Sequence, residues 1–218
     1  MPVRIIYGPS GSGKTHLLYK KIIEQAVSKP EQKFIFIVPE QSSLQAQKKV
    51  VKMHPNHGVF NIDVLTFGRL GYRVFEELGI ELNETIDDTG KNLIVRKVID
   101  DIRDELKIIK AGRRQGFISE MKSMISEFKQ YGITPERLNE IIEGTTNDRL
   151  RDKLTDICRI YTGFEKYIEG RFVTVEDKPE ILYREIDRSK AVEDAVVVFD
   201  GFTGFTPVQY RLIEKIAL

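Results

Sequence analysis

The sequence predicts an α/β fold in which a parallel sheet is interrupted by an all-helical insertion. Three observations carry this. Short apolar runs alternate with amphipathic stretches from residue 3 to residue 78; strand signals then vanish from about 85 to 190; and one more apolar run returns at Val196.

The first run, Val3-Arg4-Ile5-Ile6-Tyr7, has the β-branched and aromatic content of a buried parallel strand. It leads into Gly8-Pro9-Ser10-Gly11-Ser12-Gly13-Lys14-Thr15, a complete G-x-x-x-x-G-K-S/T phosphate-binding loop. The glycines permit the backbone to turn successive N–H groups inward around a phosphate. Lys14 supplies an ammonium for β- and γ-phosphate oxygens, and the Thr15 hydroxyl is a Mg²⁺ ligand. Leu18, Ile22 and Ala26 recur every four residues, so a helix over 15–28 packs back on the sheet and adds its positive end to the anion site.

Phe34-Ile35-Phe36-Ile37-Val38 and Ile62-Asp63-Val64-Leu65 read as further core strands, with helices over 41–53 and 67–78 between and after them. The order β-α-β-α-β-α implies right-handed crossovers and a parallel sheet. In the insertion, Leu93, Ile94, Val98 and Ile102 mark one helical face, and Phe117, Met121, Met124, Ile125 and Phe128 mark another. Thr134-Pro135-Glu136 starts a helix with a cap and a proline at its first position. Leu150, Leu154, Ile157, Tyr161, Phe164 and Ile168 sustain a long amphipathic helix. These stripes are ordinary core for a helical bundle. The expected organisation is an α/β domain over 1–84 and 191–218, with a helical insertion over 85–190. A four-stranded sheet whose last helix is barely complete at Leu218 suggests part of a larger protein.

Val196-Val197-Val198-Phe199-Asp200 is an apolar strand ending in a carboxylate. Beside a phosphate loop, such an Asp completes the Mg²⁺ shell. ATPases of this layout place a Glu next, to orient or deprotonate the attacking water; here Gly201 has no side chain for that task. The sequence favours holding ATP and Mg²⁺ over turning ATP over.

Bulk composition narrows the rest. With 34 basic and 33 acidic residues the net charge is +1, so charge does not announce a nucleic-acid partner, although a local basic surface remains open. The single Cys158 excludes an intramolecular disulfide and a multi-cysteine cluster, and reads as a small buried hydrophobe. No run reaches the ~18 apolar residues of a membrane span. The N-terminus enters a strand rather than a signal peptide, which implies a cytoplasmic protein with no membrane association.

The run Asp200-Gly201-Phe202-Thr203-Gly204-Phe205-Thr206-Pro207-Val208-Gln209-Tyr210 resembles the D-E-x-Q-D-x-x-x-x-Q-Y motif of superfamily one, UvrD-like DNA helicases. Asp200, Gln209 and Tyr210 align without a gap, while Gly201 and Thr203 replace the catalytic Glu and the γ-phosphate-sensing Gln. The version D-G-F-x-x-F-T-P-x-Q is similar to AddB-type helicase/nuclease subunits of AddAB recombination complexes. Thr66-Phe67-Gly68-Arg69-Leu70 resembles the T-F-H-S segment after the third strand, and Pro39-Glu40-Gln41-Ser42 stands where the single-strand-contacting loop lies.

The resemblance implies a RecA-like domain with a helical subdomain inserted. It also implies an AddA-type partner subunit, and a role in double-strand-break repair through single-stranded DNA binding and recognition of the Chi sequence. Active helicases carry an upstream Gln motif that reads adenine; this chain starts at the first strand, which leaves the base preference open. None of these residues belongs to that family's C-terminal nuclease or iron–sulfur cluster. The alternative is a free-standing phosphate-loop kinase or ATPase with a helical lid.

Loops at the C-terminal ends of parallel strands are where open α/β sheets bind ligands. Candidate DNA contacts are therefore Gln41 and Ser42 on one loop, and Thr66, Phe67 and Arg69 on another. Phe67 is placed to stack on a base and Arg69 to pair with a phosphate or guanine edge. Equally, Phe67 opens the core face of the next helix, Arg69 lies on an exposed one, and Gln41 is a helix-start residue. Lys110, Arg113 and Arg114 make a basic hairpin, and His54-Pro55-Asn56-His57 reads as a turn rather than a metal site.

Overall fold

The computed structural model describes residues 3–58, 60–108 and 115–217. In chain order the elements run α1 (Lys14–Ser28), β1 (Lys33–Ile37), α2 (Ser43–Met53), β2 (Ile62–Leu65), α3 (Phe67–Leu78), β3 (Glu84–Thr85) and α4 (Asp88–Asp101). They continue with α5 (Gln115–Gln130), α6 (Pro135–Glu143), α7 (Asp148–Ile168), β4 (Phe172–Val173), α8 (Lys178–Glu185), β5 (Ala195–Phe199) and α9 (Pro207–Ala217).

Two compact units result: Met1–Ile80, Pro179–Phe205 and Gln209–Leu218 form one, and Glu81–Lys178 with Thr206–Val208 forms the other. Residues 179–190, which the sequence assigned to the insertion, thus group with the sheet. In the first unit β1 is central, paired in parallel with β2 on one side and β5 on the other. Phe34 stands opposite both Ile62 and Val196, and Ile37 opposite both Leu65 and Phe199. Phe34, Ile35, Phe36 and Ile37 are fully buried, as a strand covered on both faces requires. Phe34, Phe36 and Val38 pack with Tyr19, Ile22, Ile23 and Ala26 of α1 and Ala46 and Val50 of α2.

The expected first strand is a correction. Residues 3–7 join no sheet, and among the described residues the main sheet has three strands rather than four. Val3, Ile5 and Tyr7 are 70%, 81% and 90% exposed. Strand propensity measures fit to a pleated, half-buried surface, and it supplies no partner ladder.

The second unit is built on α4, α5, α6 and α7, whose buried faces meet in one core including Ile94, Val98, Met121, Ile125, Leu138, Ile160 and Phe164. At Gly163 of α7 an added Cβ would lie 2.5 Å from Val98 Cγ1 of α4, so that helix contact depends on the missing side chain. This unit is not purely helical: Glu84–Thr85 and Phe172–Val173 pair in parallel. Two residues per strand are too few to show a period-2 pattern, so the sequence gives no sign of the pair. Two buried lysines tie helices to the segment after β4. Lys91 Nζ lies 3.0 Å from Glu176, and Lys129 Nζ lies 2.7 Å from Glu165 and 2.9 Å from Asp177. Cys158 is buried, with its Sγ 3.3 Å from Asn139 Oδ1. Among the described residues no helix is long and apolar enough to cross a membrane.

Candidate nucleotide site and its flanking loops

α1 begins at Lys14 with Gly13 before it at φ 82°, a left-handed conformation that costs a residue with a Cβ roughly 1–2 kcal/mol. No side chain caps this helix end and its first turn has no acidic residue, so its N–H groups and positive dipole end remain available to an anion. Gly8, Pro9, Ser10, Gly11, Ser12 and Gly13 are all exposed. Lys14 Nζ donates to the carbonyls of Gly8 at 2.8 Å and Pro9 at 2.7 Å, so the loop is folded around its own cation.

Thr15 sits one position inside the helix, and its hydroxyl donates to Asp200 Oδ1 at 3.0 Å across 185 residues of chain. Asp200 is fixed in turn because its N–H continues the β1–β5 ladder onto Ile37 O at 3.2 Å. A hydroxyl and a carboxylate are hard oxygen donors. Together with phosphate oxygens and water, they suit Mg²⁺ rather than a soft metal.

Tyr19, one turn below Thr15, lies 2% exposed with its ring 4.7 Å from Phe36 and the Lys49 ammonium 4.5 Å from its centroid. Burial, with the Asp200 charge second, pushes its hydroxyl up to about 12, so it stays a neutral donor beside the carboxylate. Sequence reasoning missed both Tyr19 and Lys49. The i, i+4 spacing from Thr15 was the available sign for Tyr19; the local sequence carries none for Lys49.

Gly201 has φ 81°, and a Cβ there would stand 3.5 Å from Pro39 Cδ and 3.9 Å from Ser42 Oγ. The turn after Asp200 is therefore formed in a conformation reserved for glycine and lies against the loop after β1. Beyond it, Phe202 and Phe205 stack at 4.7 Å, Phe67 lies 5.7 Å from Phe202 and 6.0 Å from Phe199, and Tyr210 meets Phe205 edge-on at 5.4 Å. Tyr210 is 60% exposed, so this aromatic cluster reaches the surface. Reading Phe67 alone overlooked the cluster, although four of its five members stand between Phe199 and Tyr210.

The five DNA candidates divide by burial. Gln41 and Arg69 are exposed and Ser42 is half-buried. Thr66 is buried, its hydroxyl accepting from Arg69 N at 3.2 Å to cap α3. Phe67 is 7% exposed within the aromatic cluster. The structure thus uses Thr66 and Phe67 to build the loop, and leaves the other three able to meet a ligand. His54 accepts from Asn56 N at 3.3 Å through Nδ1, closing the turn there. Lys110, Arg113 and Arg114 lie outside the described residues.

A phosphate loop, its paired Asp200 and a glycine-led aromatic turn converge at one edge of the sheet. A family model described as "ADDB, N-terminal" matches residues 5–218. The chain belongs to the AddB N-terminal family. Its relatives include proteins named as the B subunit of an ATP-dependent helicase/deoxyribonuclease. The one from Lachnoclostridium phytofermentans is 42% identical over 99% of the chain. Those from Clostridium kluyveri and Alkaliphilus metalliredigens are 36% and 37% identical over 99% and 100% of it. The chain spans 19% of the length of each of these AddB-type relatives.

Proposed function

We propose that this chain is the nucleotide-holding, single-strand-contacting N-terminal domain of an AddB-type protein, with little or no ATP turnover of its own. The observation that carries the reading is the Asp200–Gly201 pair. Asp200 accepts from Thr15 at 3.0 Å, while Gly201 offers no carboxylate and holds φ 81°. The residues that bind ATP–Mg²⁺ are kept: 8–13 surround phosphate through backbone N–H groups, Lys14 pairs with it, and Thr15 and Asp200 hold the metal. The residue that would activate water is absent.

The finer fold reading is a RecA-like domain with a helical subdomain inserted, which the parallel β2–β1–β5 order supports. Single-stranded DNA is the ligand proposed for the adjoining surface. Gln41 and Ser42 offer amide and hydroxyl groups, Arg69 a guanidinium, and the Tyr210 edge of the aromatic cluster a stacking face. The names of the relatives extend this to an AddB-type protein working beside an AddA-type partner in the cytoplasm. There it would act in double-strand-break repair by homologous recombination, with Chi as the sequence read.

The test measures three quantities on one preparation: binding of ATP–Mg²⁺, ATP turnover with and without DNA, and affinity for a single-stranded oligonucleotide. The reading expects nucleotide binding, no DNA-stimulated turnover, and single-strand affinity reduced at least tenfold in Gln41→Ala, Arg69→Ala. Robust stimulated turnover, or unchanged DNA affinity in the double variant, would refute it.

A further inference from the structure

The outer edge of β5 and the exposed run over residues 3–7 are complementary in chemistry, length and direction. β5 is bonded to β1 on one side, and among the described residues no strand pairs with its other side. A free edge carries unpaired N–H and C=O groups and is a template for another strand. Val196, Val197 and Phe199 of β5 are only half-buried. Residues 3–7 carry Val3, Ile5, Ile6 and Tyr7 at 70%, 81%, 39% and 90% exposure, packed against nothing that would repay leaving them in water.

Direction follows from the covalent chain. The loop entered from Tyr7 ends at Thr15, which is bonded to Asp200 just past the C-terminal end of β5. A strand ascending into that loop runs parallel to β5, the only orientation the sheet already uses. Five residues, 3–7, face the five of Ala195–Phe199.

We infer that residues 3–7 are a detachable fourth strand that docks on the free edge of β5, and that a triphosphate in the loop drives the docking. With the loop closed on itself, Lys14 grips the carbonyls of Gly8 and Pro9, the two residues that join the run to the loop. A hydrogen bond from an ammonium to a phosphate oxygen is stronger than one to a neutral carbonyl. A bound triphosphate therefore draws Lys14 away and releases both carbonyls. Gly8, at φ 154°, is the joint about which the run turns to the sheet. The nucleotide then reports its presence as a strand gained by the sheet, beside the turn that carries Asp200 and Gly201.

This inference rests on the nucleotide reading above, and its test separates the two. Hydrogen exchange is followed on the 218-residue chain with and without adenylyl imidodiphosphate and Mg²⁺, with binding measured calorimetrically on the same samples. The expected result is at least tenfold slower exchange of amides within residues 3–7 and on β5 when the analogue is bound. Ile5→Pro, which removes an N–H from the middle of the run, should abolish that gain while the analogue still binds. Free-peptide exchange rates over residues 3–7 in both states, or equal protection in both, overturn the inference. Binding without a change in exchange overturns this inference alone; no binding overturns the nucleotide reading and the trigger with it.

Discussion

Restoring the carboxylate that ATPases place after the metal-binding Asp is the sharpest perturbation of the site. In Gly201→Glu the new residue must adopt φ 81° or rebuild the turn. A left-handed conformation costs roughly 1–2 kcal/mol for a residue with a Cβ, and losing glycine's freedom in the unfolded chain returns about 0.4–1 kcal/mol. The new Cβ meets Pro39 Cδ at 3.5 Å, an ordinary contact, so sterics add little. The net expectation is about 1 kcal/mol of destabilisation, which lowers the melting temperature of a domain this size by roughly 2–4 °C.

A well-placed general base is worth roughly 10²–10⁴ in rate. The left-handed turn packed on Pro39 and Ser42 is not shaped to aim one at the γ-phosphate, so turnover should stay at the parent level. Thermal unfolding followed by circular dichroism, with phosphate release from the same protein, tests both parts. An unchanged melting temperature together with a hundredfold gain in turnover would refute the argument that this turn is built for glycine.

Lys14→Ala should weaken triphosphate binding at least tenfold, because a charge-assisted contact worth ~1.5–3 kcal/mol is lost; equal affinity by calorimetry would remove Lys14 from the site. In the helical unit, Gly163→Ala should cost about 1–3 kcal/mol, because its Cβ would fall 2.5 Å from Val98 Cγ1. Val98→Ala should recover part of that loss in a urea double-mutant cycle, and strictly additive effects would count against the clash. Burial alone would raise Glu176, but the Lys91 ammonium holds it below its ordinary value of 4.5. Its contribution to stability is therefore complete above that value and lost as pH falls through the lower folded one. Burial raises Glu165 despite Lys129, which acts in the opposite sense, so the comparison is with Glu176→Gln. That variant should flatten the fall in urea midpoint between roughly pH 5 and pH 3, whereas a parental slope would dismiss the Lys91–Glu176 pair as the cause.

What could be read from the sequence was whatever had a local cause. The phosphate loop is legible because eight consecutive residues define its chemistry. The strands around Phe36, Val64 and Val198 and the helices at Ile22, Val74 and Phe164 are legible because burial imposes a period. Asp200 was legible through its place at the end of an apolar run, and the structure brings it to Thr15. What escaped depends on neighbours distant in sequence. Residues 3–7 have strand chemistry but no ladder. Glu84–Thr85 is a strand only because Phe172–Val173 lies beside it. Phe67 could be read as a base-stacking ring because nothing local reveals Phe199, Phe202 and Phe205 around it.

β1 touches no proposed ligand, yet it acts as the common datum for all that do. It is hydrogen-bonded on both sides, and the loops carrying Ser42, Thr66 and Asp200 leave the sheet at one level only because Ile37 is level with both Leu65 and Phe199. A slip of one residue would displace the β1 loop by about 3.3 Å from its neighbours and reverse every inward-facing side chain. Selection for lost DNA handling should thus recover lesions at Phe34 or Phe36 alongside those in the loops, and thermal denaturation would distinguish a misaligned scaffold from a damaged contact.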